Sequence, residues 1–118
     1  MERIINVTPH SITFRRGDGT DFMVHPSGSL CGASAVESVM EYTRFDGVSL
    51  VRTVFIPTEE GNQEVEDLME KFPEYIIVGS IISAQAYPGR VFGMTPSPGF
   101  ERVPPAEKKM NPYKFITY

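Results

Sequence analysis

The run Asn62-Gln63-Glu64-Val65-Glu66-Asp67-Leu68-Met69-Glu70-Lys71-Phe72-Pro73 leads almost directly into Tyr75-Ile76-Ile77-Val78. These neighbours carry different periodicities. Val65, Leu68, Met69 and Phe72 fall at i, i+3, i+4 and i+7, the spacing that lines one face of a helix. The spacing predicts one main helix over about 62–72. Asn62 is the expected N-cap, Glu64, Glu66 and Asp67 put negative charge near the positive end of the helix dipole, and Pro73 stops the run. Tyr75–Val78 has no polar alternation, so it reads as a strand buried on both faces.

Outward from this pair the chain is rich in turns. Its 118 residues include ten Gly and ten Pro, which favours short strands and irregular connections over a helical bundle. That length suits a single compact domain, 1–118, burying roughly 65–70% of its unfolded surface without staples. Upstream, Ile4–Val7, Ile12–Phe14 and Phe22–Val24 are β-prone runs that read as a small meander, with Arg15-Arg16-Gly17-Asp18-Gly19 as its turn. Residues 29–39 permit a helix or a strand, and the strand is favoured. Asp46-Gly47 between apolar-rich runs predicts a hairpin joining Val39–Phe45 to Val48–Ile56.

Downstream, Gly79–Tyr87 suits a short helix before Pro88-Gly89, and Val91–Met94 a returning strand. The proline-rich stretch Thr95–Pro112 predicts an extended wrap over the surface, with Tyr113–Tyr118 docking as an edge strand. The expected fold class is α+β: a small mixed, mostly antiparallel sheet, one main helix and a proline-rich C-terminal wrap.

Charge and cysteine content narrow the function. A net charge of −4 disfavours a partner that is a nucleic-acid polymer, which calls for a basic surface. The pairs Arg15-Arg16 and Lys108-Lys109 read as solvated turn charges. The single Cys31 lacks a disulfide or zinc partner and lies among apolar and small neighbours, as a buried hydrophobe would. No charged-then-apolar leader pattern opens the chain, and no apolar run approaches the length that spans a bilayer. The expected location is the cytoplasm, that of the host cell if the protein is phage-encoded, with no membrane partner.

Asn6-Val7-Thr8-Pro9-His10-Ser11-Ile12 holds the first candidate site, because proline fixes the backbone between Thr8 and His10 and aims both side chains. Ser27 in Pro26-Ser27-Gly28 and Ser80 after the buried strand occupy comparable rigid corners. Arg90 after Tyr87-Pro88-Gly89 suits a bidentate contact to an anion, with Tyr87 as a stacking face. The expected ligand-binding set is therefore Thr8, His10, Ser27, Ser80, Tyr87 and Arg90. His10 and His25 lack the spacing and co-ligands of a metal site, and no phosphate-loop or hydrolase motif is present, so neither metal nor cofactor is expected.

The succession Asn6-Val7-Thr8-Pro9-His10-x-Ile12, Pro26-Ser27-Gly28, Ile76-x-Val78-x-Ser80 and Arg90, with the tail Pro98-Gly99-Phe100-Glu101-Arg102, resembles a family of small uncharacterised proteins of bacteriophages and bacteria. Cys31-Gly32-Ala33 departs from the more regular strand expected there. The resemblance implies a phage accessory protein and carries no catalytic residues. The leading expectation is a protein that binds a small anionic ligand, plausibly a nucleotide signal, and sequesters it without turnover to counter host defence. The alternatives are an inhibitor of a host protein acting through its acidic surface, and a small hydrolase using His10 as base. Self-pairing into a homo-oligomer is the remaining partner expected.

Overall fold

The computed structural model describes residues 3–40 and 45–118. The elements are β1 (Ile4–Asn6), β2 (Ile12–Arg15), β3 (Asp21–Val24), β4 (Ala33–Val39), β5 (Val51–Pro57), α1 (Glu59–Lys71), β6 (Ile76–Val78), α2 (Ile81–Ala86), β7 (Val91–Pro96), a 3-10 turn (Pro105–Glu107) and β8 (Met110–Ile116). Six strands form one sheet in the order β1-β6-β7-β8-β2-β3, and β4 and β5 form a separate ribbon. This is an α+β fold with mixed strand directions, and antiparallel ladders supply most of the paired residues.

The six-stranded sheet curls until its two edges meet. A parallel bridge joins Asn6 at the end of β1 to Pro26 just beyond β3, and Ser27 N donates to Asn6 O at 2.8 Å. Curling separates two apolar layers through the two-residue alternation of strand side chains. Ile12, Phe14 and Val78 point inward with Ile4, Phe22, Val24, Ile76 and Phe115, and Phe14 stacks on Phe22 at 5.3 Å. Ile5, Val7, Ile77 and Val91 point outward and pack under Val65 of α1 and under Ala86 and Tyr87. Phe14 and Tyr87 are the largest fully buried side chains, and each contributes about 1.5–3 kcal/mol by the usual transfer scale.

Four expectations are corrected in detail. The main helix starts earlier, at Glu59, and its N-cap is Thr58, whose hydroxyl accepts from Gly61 N at 2.9 Å. The apolar periodicity begins at Val65, so most of the first turn leaves no apolar signal. The N-terminal meander is broken: β2 and β3 are a hairpin, but β1 leaves them to pair in parallel with β6, Ile5 opposite Ile77. Residues 29–39 form a strand only from Ala33. The terminal residues Tyr113–Tyr118 do not dock as an edge strand. β8 starts at Met110 and lies inside the sheet between β7 and β2, its one proline, Pro112, tolerated because the β7–β8 register shifts between Met94 and Pro96.

The helix and strand expected after β6 are present as α2 and β7, and β6 itself lies between two parallel neighbours. Asp46-Gly47 does make a turn, with Val48 N bonded to Phe45 O at 3.2 Å and Gly47 at φ +71°. The flanking strands pair lower down, from Val39 opposite Val51 to Ala33 opposite Pro57. Of the expected strand Val39–Phe45, residues 41–44 lie outside the described set. The ribbon's base rests on α2, with Ala33 and Phe55 packed into the outer core. The molecule measures 56 × 35 × 20 Å with a radius of gyration of 16.9 Å, whereas a compact globule of this length has about 13–14 Å.

Candidate functional site

Strand direction defines two ends of the curled sheet. β1, β3, β6 and β7 finish at the upper end, while β2 finishes at the lower end in the Arg16–Thr20 turn. Four of the expected site residues, Thr8, His10, Ser27 and Ser80, fall at the upper end because each follows or adjoins a strand that finishes there. Their centre is buried Asn6. Asn6 Nδ2 donates to His10 O at 2.7 Å and Val24 O at 3.1 Å, and Asn6 Oδ1 accepts from Thr8 N at 2.8 Å and lies 2.7 Å from Thr8 Oγ1. Both amide protons are used, the amide oxygen takes the Thr8 N–H, and the one hydroxyl proton of Thr8 is shared between Asn6 Oδ1 and His10 O at 2.9 Å. Asn6 was read only as part of a motif, although a short amide two residues before a Thr-Pro step is a recognisable turn former.

The hydroxyls at this end are committed to backbone geometry. Ser27 Oγ donates to Ser29 O at 3.3 Å, and Ser80 caps α2 by accepting from Ser83 N at 3.1 Å. His10 is exposed, and His25 Nδ1 lies 3.0 Å from Ser11 Oγ. Gly79 is fixed by packing: a Cβ there would lie 2.9 Å from Val91 Cγ1 and 3.0 Å from Val7 Cγ2.

Tyr87 and Arg90 are elsewhere. Arg90 precedes β7, whose Val91 pairs with Ile77, while Ser80 follows the finish of β6, a separation of roughly 13 Å along the strands at about 3.3 Å per residue. Arg90 Nη2 donates to Asn62 Oδ1 of α1 at 3.0 Å, and its guanidinium lies 5.4 Å from the Tyr87 ring centre. Tyr87, expected as a stacking face, is a core residue whose hydroxyl donates to Gly32 O at 2.7 Å. The six expected residues therefore divide between two places.

Tyr87 belongs to a clasp on the Cys31-Gly32 segment. Ser83 Oγ donates to Cys31 O at 3.1 Å, and Thr58 Oγ1 donates to Gly32 O at 3.2 Å beside the tyrosine. Cys31 is fully buried with φ +48°, a left-handed conformation held by these donors. Burial, with Glu64 nearby and against the pull of Arg90, pushes its thiol up to about 12. The thiolate is thus suppressed, as expected of a packing cysteine. Maleimide labelling near neutral pH should run orders of magnitude slower in the folded chain than in denaturant, since burial withholds both the thiolate and access to the sulfur. Equal rates would contradict the buried placement.

The lower end carries a different set. Around the Arg16–Thr20 turn, Arg15, Arg16, Gly17, Gly19, Ser97, Pro98, Asn111 and Tyr113 line a cleft of about 350 Å³. A neighbouring hollow of about 180 Å³ shares Arg16 and Tyr113 and adds Arg3, Ile4, Phe22, Ile76 and Pro112. Tyr113 is 71% exposed, and its hydroxyl accepts from Gly17 N at 3.0 Å, which holds the ring against the turn. Arg16 lies 4.6 Å over the Phe22 ring and donates to Thr20 Oγ1 at 3.2 Å. Arg15 Nε donates to Asp21 Oδ1 at 2.8 Å and its guanidinium sits 4.9 Å from the Phe100 ring. Hydrogen bonds from Arg15 and then Lys109 pull the Asp21 carboxyl down to about 2, so it stays ionised. Lys108 Nζ donates to Glu101 O at 3.0 Å.

Both basic pairs, read as solvated turn charges, are held in place by aromatic rings, carboxylates or backbone. Their signal in the sequence was two adjacent arginines before Gly-Asp-Gly, with a tyrosine after Pro112. By contrast, an open groove of about 540 Å³ along α1 is lined by Glu59, Glu60, Gln63, Glu64 and Asp67, which repels anions. Among the described residues no group of three or more His, Cys, Asp and Glu side chains is placed to hold a metal ion, and no helix is long and apolar enough to cross a membrane. No family model, curated protein or solved structure matches the chain.

Proposed function

We propose that the chain is a non-enzymatic binding protein for a small anionic ligand of the nucleotide class, held at the lower end of the curled sheet. The observation that carries this reading is the meeting of Arg15, Arg16 and an outward-facing Tyr113 around one cleft in a chain of net charge −4. Guanidinium groups match phosphate oxygens bidentately, an exposed aromatic ring stacks on a base, and about 350 Å³ lies within the usual range for a small-molecule site. The arginines are braced in advance by Phe22, Phe100 and Asp21, so little side-chain order remains to be lost on binding. The resemblance to phage accessory proteins is what ties such binding to sequestration of a host defence signal in the host cytoplasm.

The test is a thermal-shift panel of linear and cyclic nucleotides, with inorganic phosphate as the charge control. A ligand at 100 times its dissociation constant adds about 2.7 kcal/mol, a rise of roughly 10 °C for a chain of this size. Arg16→Ala should abolish the rise and His10→Ala should leave it, whereas a site at the Thr8–His10 corner demands the reverse. Recovery of the nucleotide unchanged separates sequestration from hydrolysis. A flat panel would sink the proposal. A second reading rests on the acidic face of α1, which suits a basic surface on a host protein. Inhibition of that kind would survive Arg16→Ala and fail on neutralising Glu60 and Glu64.

A further inference from the structure

Given the anion site proposed above, on which this reading rests, we infer that its ligand carries an oxopurine base, guanine or hypoxanthine, and that Asn111 selects it. Asn111 lines the cleft together with Arg15, Arg16 and Tyr113. Its Oδ1 accepts from Tyr113 N at 2.9 Å, and because a backbone N–H can only donate, this bond fixes which end of the amide is which. Nδ2 is left with both protons and no acceptor among the described residues. The same bond ties the amide to the backbone of the residue whose exposed ring is the stacking face, so donor and ring are positioned together.

The remaining polar lining has the same character. Guanidinium groups can only donate, and Tyr113 Oη, which accepts from Gly17 N at 3.0 Å, still has its own proton to give. Ser97 is buried and spends its hydroxyl proton on Met110 O at 3.0 Å. A base stacked on Tyr113 therefore meets mainly donors along its edge. Guanine and hypoxanthine present two adjacent acceptors there, N7 and O6, so Nδ2 finds a partner at either. Adenine keeps N7 but replaces O6 by an amino group, which sets donor against donor and leaves both unpaired as water is excluded. Uracil offers O4 alone and a smaller face to the ring. Binding that depends on satisfying a fixed donor is lost when the analogue lacks the acceptor, which is how polar sites discriminate most sharply.

The experiment is calorimetric titration of the full chain with guanine, hypoxanthine, adenine and diaminopurine nucleotides, each as the linear and the cyclic monophosphate. The guanine and hypoxanthine ligands are expected to bind alike. The adenine and diaminopurine ligands, which share the amino group in place of O6, should bind roughly tenfold or more weakly. Asn111→Asp keeps an acceptor for Tyr113 N but turns the donor into a second acceptor, so the preference should disappear or reverse, while the added charge weakens ligands of equal phosphate charge alike. If that variant loses its far-ultraviolet circular dichroism spectrum, the wild-type series decides alone. Adenine bound as tightly as guanine, with both lost in Arg16→Ala, overturns the base assignment and leaves the anion site standing. A preference that a folded Asn111→Asp chain retains unchanged overturns the role of Asn111. Binding of none of these nucleotides overturns the base assignment and the anion site together.

Discussion

Gly61→Ala is expected to lower the thermal midpoint by roughly 12–20 °C, the equivalent of about 3–5 kcal/mol for a chain of this size. Helix propensity alone argues the opposite, because alanine is favoured over glycine inside a helix by about 1 kcal/mol. Geometry decides the sign. Gly61 lies in the first turn of α1, and a Cβ there would sit 2.1 Å from Tyr87 Oη, 2.5 Å from Gly32 O and 2.9 Å from Thr58 Oγ1. The Gly32 oxygen is backbone, held from one side by Tyr87 and from another by Thr58, so it has no free direction in which to retreat. Relief requires pushing the helix away from the Cys31-Gly32 segment, which breaks the Thr58–Gly32 hydrogen bond and opens the outer core around Val65 and Tyr87.

A double-mutant cycle with Tyr87→Phe separates the contributions. Removing the hydroxyl costs about 1 kcal/mol by itself but takes away the shortest of the three contacts, so the pair should be less destabilised than the sum of the singles. Full rescue is not expected, because the Gly32 oxygen remains. Urea or thermal unfolding of the four proteins checks this. A Gly61→Ala chain as stable as the wild type would show that α1 does not close on this segment.

What the residues disclosed on their own follows from the range of the forces involved. The body of α1 was legible because Val65, Leu68 and Phe72 repeat within one segment, and β6 because four apolar residues in succession suit burial on both faces. The Asp46-Gly47 turn was legible because its chemistry is local. The partner of β1 was not, since parallel pairing with β6 joins segments far apart in the chain and leaves no spacing to read. Thr58 escaped as a cap because the first helical turn gives the periodicity little apolar signal to extend. The two tyrosines state the limit most clearly. Tyr87 before Pro88 and Tyr113 after Pro112 look alike locally, yet one is fully buried and the other 71% exposed. Only the packing of α2 and the curl of the sheet distinguish a core ring from a ring that can meet a ligand. The upper-end site was legible as a cluster of polar corners, but not the commitment of its hydroxyls to a cap and turns. Satisfying buried backbone comes before binding at such corners.

Asn6→Ala should cost about 2–4 kcal/mol, and Asn6→Asp more at neutral pH. The amide stands where β1, the Pro9 corner and the end of β3 converge, donating to His10 O and Val24 O while accepting from Thr8. Alanine leaves those carbonyls and the Thr8 amide short of partners in a place water reaches poorly. An aspartate preserves the acceptor side but turns the other oxygen, as an anion, towards two carbonyl oxygens. Desolvation and this repulsion both hold the introduced carboxyl's pKa in the folded chain above the ~3.9 of the unfolded one. For an acid whose folded pKa is raised, the folded state binds more protons between the two pKa values, so stability falls as pH rises through that window. The variant should therefore lie closest to the wild type near pH 4 and fall behind by about 1.4 kcal/mol for each unit by which its folded pKa exceeds the unfolded value. The comparison is a difference, which removes the contribution of native carboxylates such as Asp21, whose depressed pKa acts in the opposite sense in both proteins. Unfolding midpoints at pH 4, 5.5 and 7 for the two chains measure it. A gap that stays constant with pH would mean that the side chain at position 6 reaches solvent, and that the Thr8–His10 corner is held to β3 by something other than Asn6.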